Sequence, residues 1–379
     1  MVRFICHLMQ VIEYLRVKNH NNDRGKNINM MLEIYAGESA FKTIQEHGFK
    51  QELFTNFLGA SGGPKWFILY ALDKYFFGEF FKERTTPLNI IGSSIGAFRA
   101  ACFSQKQPIQ AIELLAKHYS ETTYSDKPTP SEVSAKVNNL VEALFDNNAS
   151  LEIINNPLFR AHFIVTKVHG LSAKKSQFLQ AIGFLYNYLL NRLNRKYLDI
   201  NNERYIFHHP QSSLDLTDQF QITTHKIPLN IRNIKQALLA SASIPIVMER
   251  INNIAGSPIG TYRDGGIVDY HFDFMPKGEG LTLYPHFNST PKAGWFDKNL
   301  NRSVSAKNYD KTVLICPSQK FINTLSQQKI PDRSDFKTMS SSHRIKFWKE
   351  VLDKTTILKD EFKHFLNSSD MSRIRKLNF

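Results

Sequence analysis

One serine of this chain sits in a setting built for nucleophilic attack. Gly92-Ser93-Ser94-Ile95-Gly96 is a G-x-S-x-G pentapeptide, preceded by the apolar run Leu88 to Ile91 and followed by a stretch, Ile95 to Phe103, that suits a helix. A strand–turn–helix context of this kind is what a nucleophile elbow needs. The turn forces Ser94 into a cramped backbone conformation, and glycines two residues to either side remove Cβ atoms that would collide. The hydroxyl then projects from the carboxyl end of the strand, near helix N-terminal amides that favour an anion.

A serine nucleophile also needs a base and donors for the developing oxyanion. Thr261-Tyr262-Arg263-Asp264-Gly265-Gly266 sets an acid before paired glycines, 170 residues (264 − 94) beyond Ser94. Upstream, Gly59-Ala60-Ser61-Gly62-Gly63-Pro64-Lys65 brings Gly62 and Gly63 just before a helical stretch, where their amides can converge on negative charge. The run lacks the Gly-Lys-Ser/Thr ending of a phosphate-cradling loop. Taken alone, Asp264-Gly265 reads equally well as a turn. His271 and His286 follow Asp264, so a Ser-Asp-His triad stays open beside a two-residue arrangement.

In their order and spacing these segments resemble the patatin-like phospholipases. Leu239-Ala240-Ser241-Ala242-Ser243-Ile244-Pro245 is similar to the Ala-Ser-rich segment that precedes the family's Asp-Gly-Gly motif. The resemblance covers residues 32–300 or so. It implies a three-layer α/β fold with a mostly parallel central sheet flanked by helices, and lipid acyl hydrolysis by a Ser–Asp dyad through an acyl-enzyme, with no metal and no cofactor. It makes Ser94 the nucleophile and Asp264 the base, and lines the oxyanion hole with Gly62 and Gly63. Lys65 falls where the family usually has arginine, to orient the glycine loop or draw the lipid head group, although lysine lacks arginine's planar fork. Ala60 replaces an acid often found before the glycines, and Trp66 a glycine after them. The other readings are a general carboxylesterase or thioesterase with a histidine-containing triad, and a lipid-binding protein without turnover.

The elements that must hold these residues are those of an α/β chain. Strands are expected at Leu53 to Leu58, Leu88 to Ile91, Phe163 to Val168, Tyr205 to Phe207, Ile222 to His225, Leu281 to Phe287 and Val313 to Cys316. Helices are expected at Trp66 to Phe77 and Ile231 to Ala242. From Ser341, the spacing of Ile345, Trp348, Leu352, Leu358, Phe362 and Phe365 predicts one amphipathic helix packed on the main domain. Phe178, Ile182, Leu185, Leu189 and Leu193 form another stripe, with Lys174, Lys175, Arg192, Arg195 and Lys196 at its ends. Such a helix either packs on the core or lies on an anionic membrane. Phe4, Leu8, Ile12 and Leu15 share a helical spacing ahead of a polar linker. The expected organisation is an extension at 1–31 (with Met30 or Met31 an alternative start), an acyl hydrolase domain at 32–300, and a strand and helical extension at 301–379.

Composition bounds the partners. The 379 residues are 42% hydrophobic and 22% charged, ample for a sizeable core. A net charge of +14 favours anionic partners, or simply a solvated basic surface. With no nucleic-acid fingerprint, no nucleic acid is expected, and an acyl-ester lipid or an anionic membrane is. Cys6, Cys102 and Cys316 are odd in number and far apart, which argues against a disulfide framework and for a reducing compartment. No C-x-x-C pair points to zinc. No signal peptide or membrane-spanning run is read, so the expected place is cytoplasmic or peripheral to a membrane.

Overall fold

The structure, a computed structural model, describes residues 30–145 and 148–379. The helical spacing from Phe4 to Leu15, and Cys6, lie outside the described residues. Among the described residues eleven strands form one sheet: β1 (Leu32–Ala36), β2 (Phe54–Gly59), β3 (Leu88–Ser93), β4 (Phe159–Val168), β5 (Asn202–His208), β6 (Thr224–Pro228), β7 (Ile251–Asn252), β8 (Thr261–Asp264), β9 (Leu281–Pro285), β10 (Thr312–Pro317) and β11 (Ile374–Lys376). Their order is β11-β1-β10-β9-β2-β3-β4-β5-β6, with β8 added to β4 and β7 to β8. The run β10-β9-β2-β3-β4 is parallel throughout, and β1 and β5 join it antiparallel. Helices flank the sheet, and the C-terminal region is helical before it returns as β11 beside β1.

Burial explains the strand sequences. Every residue of β9 and β10 is buried, the pattern of strands covered on both faces. Near the rim, β1 alternates buried and partly exposed positions, and β6 has none buried.

Three expected helices differ in detail. The stretch expected as one helix from Trp66 to Phe77 is a 3₁₀ turn (Gly63–Leu69), an α-helical segment (Tyr70–Tyr75) and a π turn (Phe76–Phe80). In the last of these the Phe81 amide donates to the Phe76 carbonyl at 2.8 Å, so residues five apart are both buried. The C-terminal amphipathic stretch is two helices, Ser341–Lys354 and Thr356–Ser368. They part at Thr355, whose buried hydroxyl donates to the Leu352 carbonyl at 2.7 Å and accepts from the Ala71 amide at 3.2 Å. In the first of the pair Phe347, Trp348 and Val351 are buried, whereas Ile345 and Leu352 are only partly so.

The third stretch takes the outward of its two expected orientations. In the helix Gln177–Leu193 the apolar stripe faces outward: Phe178, Ile182, Leu185 and Leu189 are 39–49% exposed and Leu193 is 76% exposed. The buried face carries Gln180, Gly183, Phe184, Asn187 and Asn191. Its amides are all engaged: Gln180 accepts from Arg263 at 2.9 Å, Asn187 donates to Ser172 at 3.1 Å, and Asn191 donates to Asp297 at 2.8 Å. A Cβ on Gly183 would lie 2.4 Å from the Ser172 amide, so this helix rests directly on backbone. Arg195, expected among the charges at the stripe's end, is buried against Asp297 at 3.0 Å; Lys174, Lys175, Arg192 and Lys196 are exposed.

The helix that follows the serine, Ile95–Phe103, is wholly buried. It is fixed by Arg99, whose guanidinium donates to both oxygens of Asp73 at 2.8 and 2.6 Å, with both side chains sealed from solvent. Burial raises the Asp73 carboxyl while Arg99 opposes it. Removing one partner of such a pair strands the other charge. Asp73→Ala is therefore expected to lower unfolding stability by about 3–5 kcal/mol, read from urea melts. A loss below about 1 kcal/mol would mean that water reaches the stranded guanidinium.

Candidate active site

The serine is held by an elbow that only glycines permit. Ser94 has φ 55° and ψ −124°, between the end of β3 and the helix beginning at Ile95. That conformation costs a residue with a Cβ about 1–3 kcal/mol and persists only where packing enforces it. A Cβ on Gly92 would lie 2.1 Å from the Gly96 carbonyl oxygen, and one on Gly96 would lie 1.7 Å from that of Gly59. The Ser94 amide donates to the Ser241 hydroxyl at 2.9 Å, which in turn donates to the Ile164 carbonyl at 2.7 Å. The Ala-Ser-rich segment thus braces the elbow from behind.

The acid arrives along β4. That strand pairs with β3 up to Ser93 opposite Ile164, and then with β8 from Asp264 opposite Val165. Since β5 occupies the other edge over His162–Val168, β3 and β8 share a single edge end to end. The result is a direct contact: Ser94 Oγ donates to Asp264 Oδ2 at 2.8 Å. Asp264 Oδ1 accepts the Gly266 amide at 2.7 Å, which fixes the carboxylate plane. Burial raises the Asp264 carboxyl above its ordinary value; Arg333, the Gly266 amide, the Ser94 hydroxyl and Lys298 pull it back only in part.

The glycine loop reaches the same place. Gly62 and Gly63 have φ of 153° and 58°, and neither amide is taken by a backbone carbonyl among the described residues. Ser61 ties the loop to the elbow, donating from its hydroxyl to Ser93 Oγ at 3.0 Å and from its amide to the Tyr270 carbonyl at 2.9 Å. Lys65 lies beside the loop with its ammonium 5.5 Å from the Phe287 ring centre. Neither histidine hydrogen-bonds the serine or the acid. His271 Nδ1 accepts from the Lys292 amide at 2.9 Å, and His286 Nδ1 faces Asn288. Burial holds both below the usual imidazole value, His286 down to about 3. Among the described residues no cluster of three or more His, Cys, Asp or Glu could hold a metal.

Ser94 and Asp264 open into a narrow cleft of about 20 Å³ whose walls include Ser61, Ile244, Trp295 and Arg333. That is below the 300–1,000 Å³ or so of most ligand pockets, so a long acyl chain requires the walls to part. Sequence reasoning missed Arg333, Trp295 and the Asp73–Arg99 anchor. Arg333 and Trp295 lie in segments without a motif, and Asp73 is one acid inside an apolar run. A buried arginine five residues after the nucleophile, calling for a carboxylate, was the one usable signal for Asp73.

A strained serine against a carboxylate at the carboxyl end of a mostly parallel sheet is an arrangement suited to acyl transfer. The family model for Patatin-like phospholipase matches residues 62–271, more than half of the sequence, and the chain belongs to that family. No curated protein sequence matches it. Among solved structures, the crystal structure of VipD from Legionella pneumophila is similar at 14% identity and a TM-score of 0.31, covering 73% of this chain. The match spans only 56% of that chain.

The raised Asp264 value fixes a sign. A carboxyl whose folded pKa exceeds its unfolded value of about 3.9 stabilises the fold when protonated, and that contribution is lost as pH rises through the folded pKa. Asp264→Asn, neutral at every pH, is expected to melt above the wild type at pH 7, with the gap closing toward pH 4 in calorimetric scans. A variant that melts lower at pH 7 would mean that Arg333 and Lys298 overcompensate the buried charge.

Proposed function

We propose that this protein is a serine lipid acyl hydrolase that cleaves carboxylic esters of phospholipids with Ser94 and Asp264 as its reacting pair. The observation that carries the reading is the 2.8 Å hydrogen bond between the strained serine and the buried acid. In the proposed reaction Ser94 Oγ attacks the ester carbonyl and its proton passes to Asp264. The Gly62 and Gly63 amides hold the oxyanion. Collapse expels the alcohol, which takes the proton back and leaves an acyl-serine. Water, deprotonated by Asp264, releases the fatty acid and restores the serine. A raised carboxyl pKa suits that duty, because a stronger base accepts the hydroxyl proton more readily.

The same reading places the enzyme on an anionic membrane. The outward stripe of the Gln177–Leu193 helix is an exposed apolar face ringed by Lys174, Lys175, Arg192 and Lys196, the arrangement that enters a lipid interface. Its amino end touches the cleft rim, with Gln177 donating to the Ile246 carbonyl at 3.3 Å, and its Phe184 ring lies 6.3 Å from that of Trp295. No helix among the described residues is long and apolar enough to cross a membrane.

Ser94→Ala and Asp264→Asn are each expected to lower fatty acid release by at least about a hundredfold, with wild-type Ser94 labelled by a fluorophosphonate. Near-wild-type turnover in either folded variant would remove that residue from the mechanism. Leu185→Asp with Leu189→Asp is expected to abolish sedimentation with phosphatidylglycerol vesicles while the circular dichroism stays native; unchanged sedimentation would reject the docking face.

A further inference from the structure

We infer that Arg333 is the head-group receptor of this site, its guanidinium binding the phosphate of the phospholipid whose ester Ser94 attacks. The inference rests on the hydrolase reading above. Arg333 lies 62 residues (333 − 271) beyond the stretch matched by the family model, yet it walls the same cleft as Ser94 and Asp264. Its Nε stands 2.8 Å from the point a Cβ on Gly63 would occupy, directly over the glycine loop. This chain carries lysine at 65, and a planar fork suited to bidentate phosphate binding returns to the loop from elsewhere in the sequence.

The local chain leaves that fork to the cleft. The two neighbouring acids are engaged elsewhere: Asp332 caps the Ser334 amide at 2.6 Å, and Asp335 accepts from Trp348 Nε1 at 2.9 Å and from the Asp332 amide at 3.1 Å. Both also hold Lys329. Among the described residues Arg333 enters no ion pair within 4 Å, and the groups that act on it are Tyr119, Asp264 and Tyr270. The surroundings are positive as well. Lys298 Nζ lies 4.0 Å from the ring centre of Tyr270, another cleft residue. Burial would raise the Tyr270 phenol, but Lys298, Lys65 and Arg333 together hold it below its usual value. Among the described residues that line the cleft, Asp264 is the one carboxylate. A ligand presenting a phosphate a few atoms from its ester meets complementary charge there, and a neutral ester does not.

Binding tests this without turnover. In a Ser94→Ala background, titration calorimetry with monomeric dihexanoyl phosphatidylglycerol and with dihexanoylglycerol compares Arg333 against Arg333→Met and Arg333→Lys. The expected result is at least about tenfold weaker phospholipid binding in the methionine variant, partial recovery with lysine, and unchanged binding of the neutral diglyceride. Equal loss on both ligands, or none on either, overturns the subsite. With Ser94 present, Arg333→Met is expected to raise KM for the phospholipid at least about tenfold more than KM for p-nitrophenyl butyrate. A matching fall in kcat on both substrates with a displaced acid limb would instead make Arg333 a positioning residue for Asp264, and the subsite would fail. Arg333-dependent binding in a wild type that neither hydrolyses esters nor takes a fluorophosphonate would sink the hydrolase reading and leave the subsite standing.

Discussion

β4 gives one edge to two partners, β3 as far as Ile164 and β8 from Val165, and Ser94 and Asp264 meet where one partner hands over to the other. Strand side chains alternate faces, so a slip of one residue in either pairing would turn Asp264 away from the serine. The junction tolerates little bulk: a Cβ on Gly265 would lie 2.1 Å from the Ile164 carbonyl oxygen and 2.8 Å from Ser93 Oγ. Seven consecutive pairings with β5 on the far edge hold the strand in register while this happens. The glycine that follows the acid is thus a condition for two strand ends abutting, beyond any freedom it lends the turn.

Largely buried charge is concentrated around the cleft end of the sheet. Besides Asp73–Arg99, Arg204 is bound to Asp269 and Asp218, and Asp297 receives Arg195 and Arg302. Pairs like these contribute little net stability over apolar packing, but they have strict geometry. Asp269 lies five residues after Asp264, and Asp297 anchors the turn that carries Trp295. The loops around the cleft are therefore fixed by directional bonds, where an apolar core would allow sliding. Asp264 itself is kept short of full compensation, which preserves its basicity.

Much of this was legible because motif chemistry is local. The elbow glycines, the acid before its paired glycines and the apolar strands are all statements about neighbours in sequence, and the structure brings Ser94, Asp264, Gly62 and Gly63 together. Strand limits differed by only a few residues for the same reason: strands buried on both faces are continuous apolar runs. Partners hundreds of residues away left no trace. The break at Thr355 depends on the Ala71 amide, and the cleft arginine Arg333 lies over Gly63, 270 residues (333 − 63) upstream. The Gln177–Leu193 stripe was seen, but periodicity reports which side chains share a face and says nothing of where that face points.

That inverted helix exchanges the usual roles of inside and outside in tolerance to change. Its inward amides each match a specific donor or acceptor, so even an isosteric replacement disturbs a fixed partner: Gln180→Glu would set an oxygen against the Lys174 carbonyl, and Asn191→Leu would strip the donor from Asp297. Its outward leucines and phenylalanine carry little packing obligation and are free to drift in size and shape. Selection can retune this surface, residue by residue, without drawing on the stability of the fold beneath it.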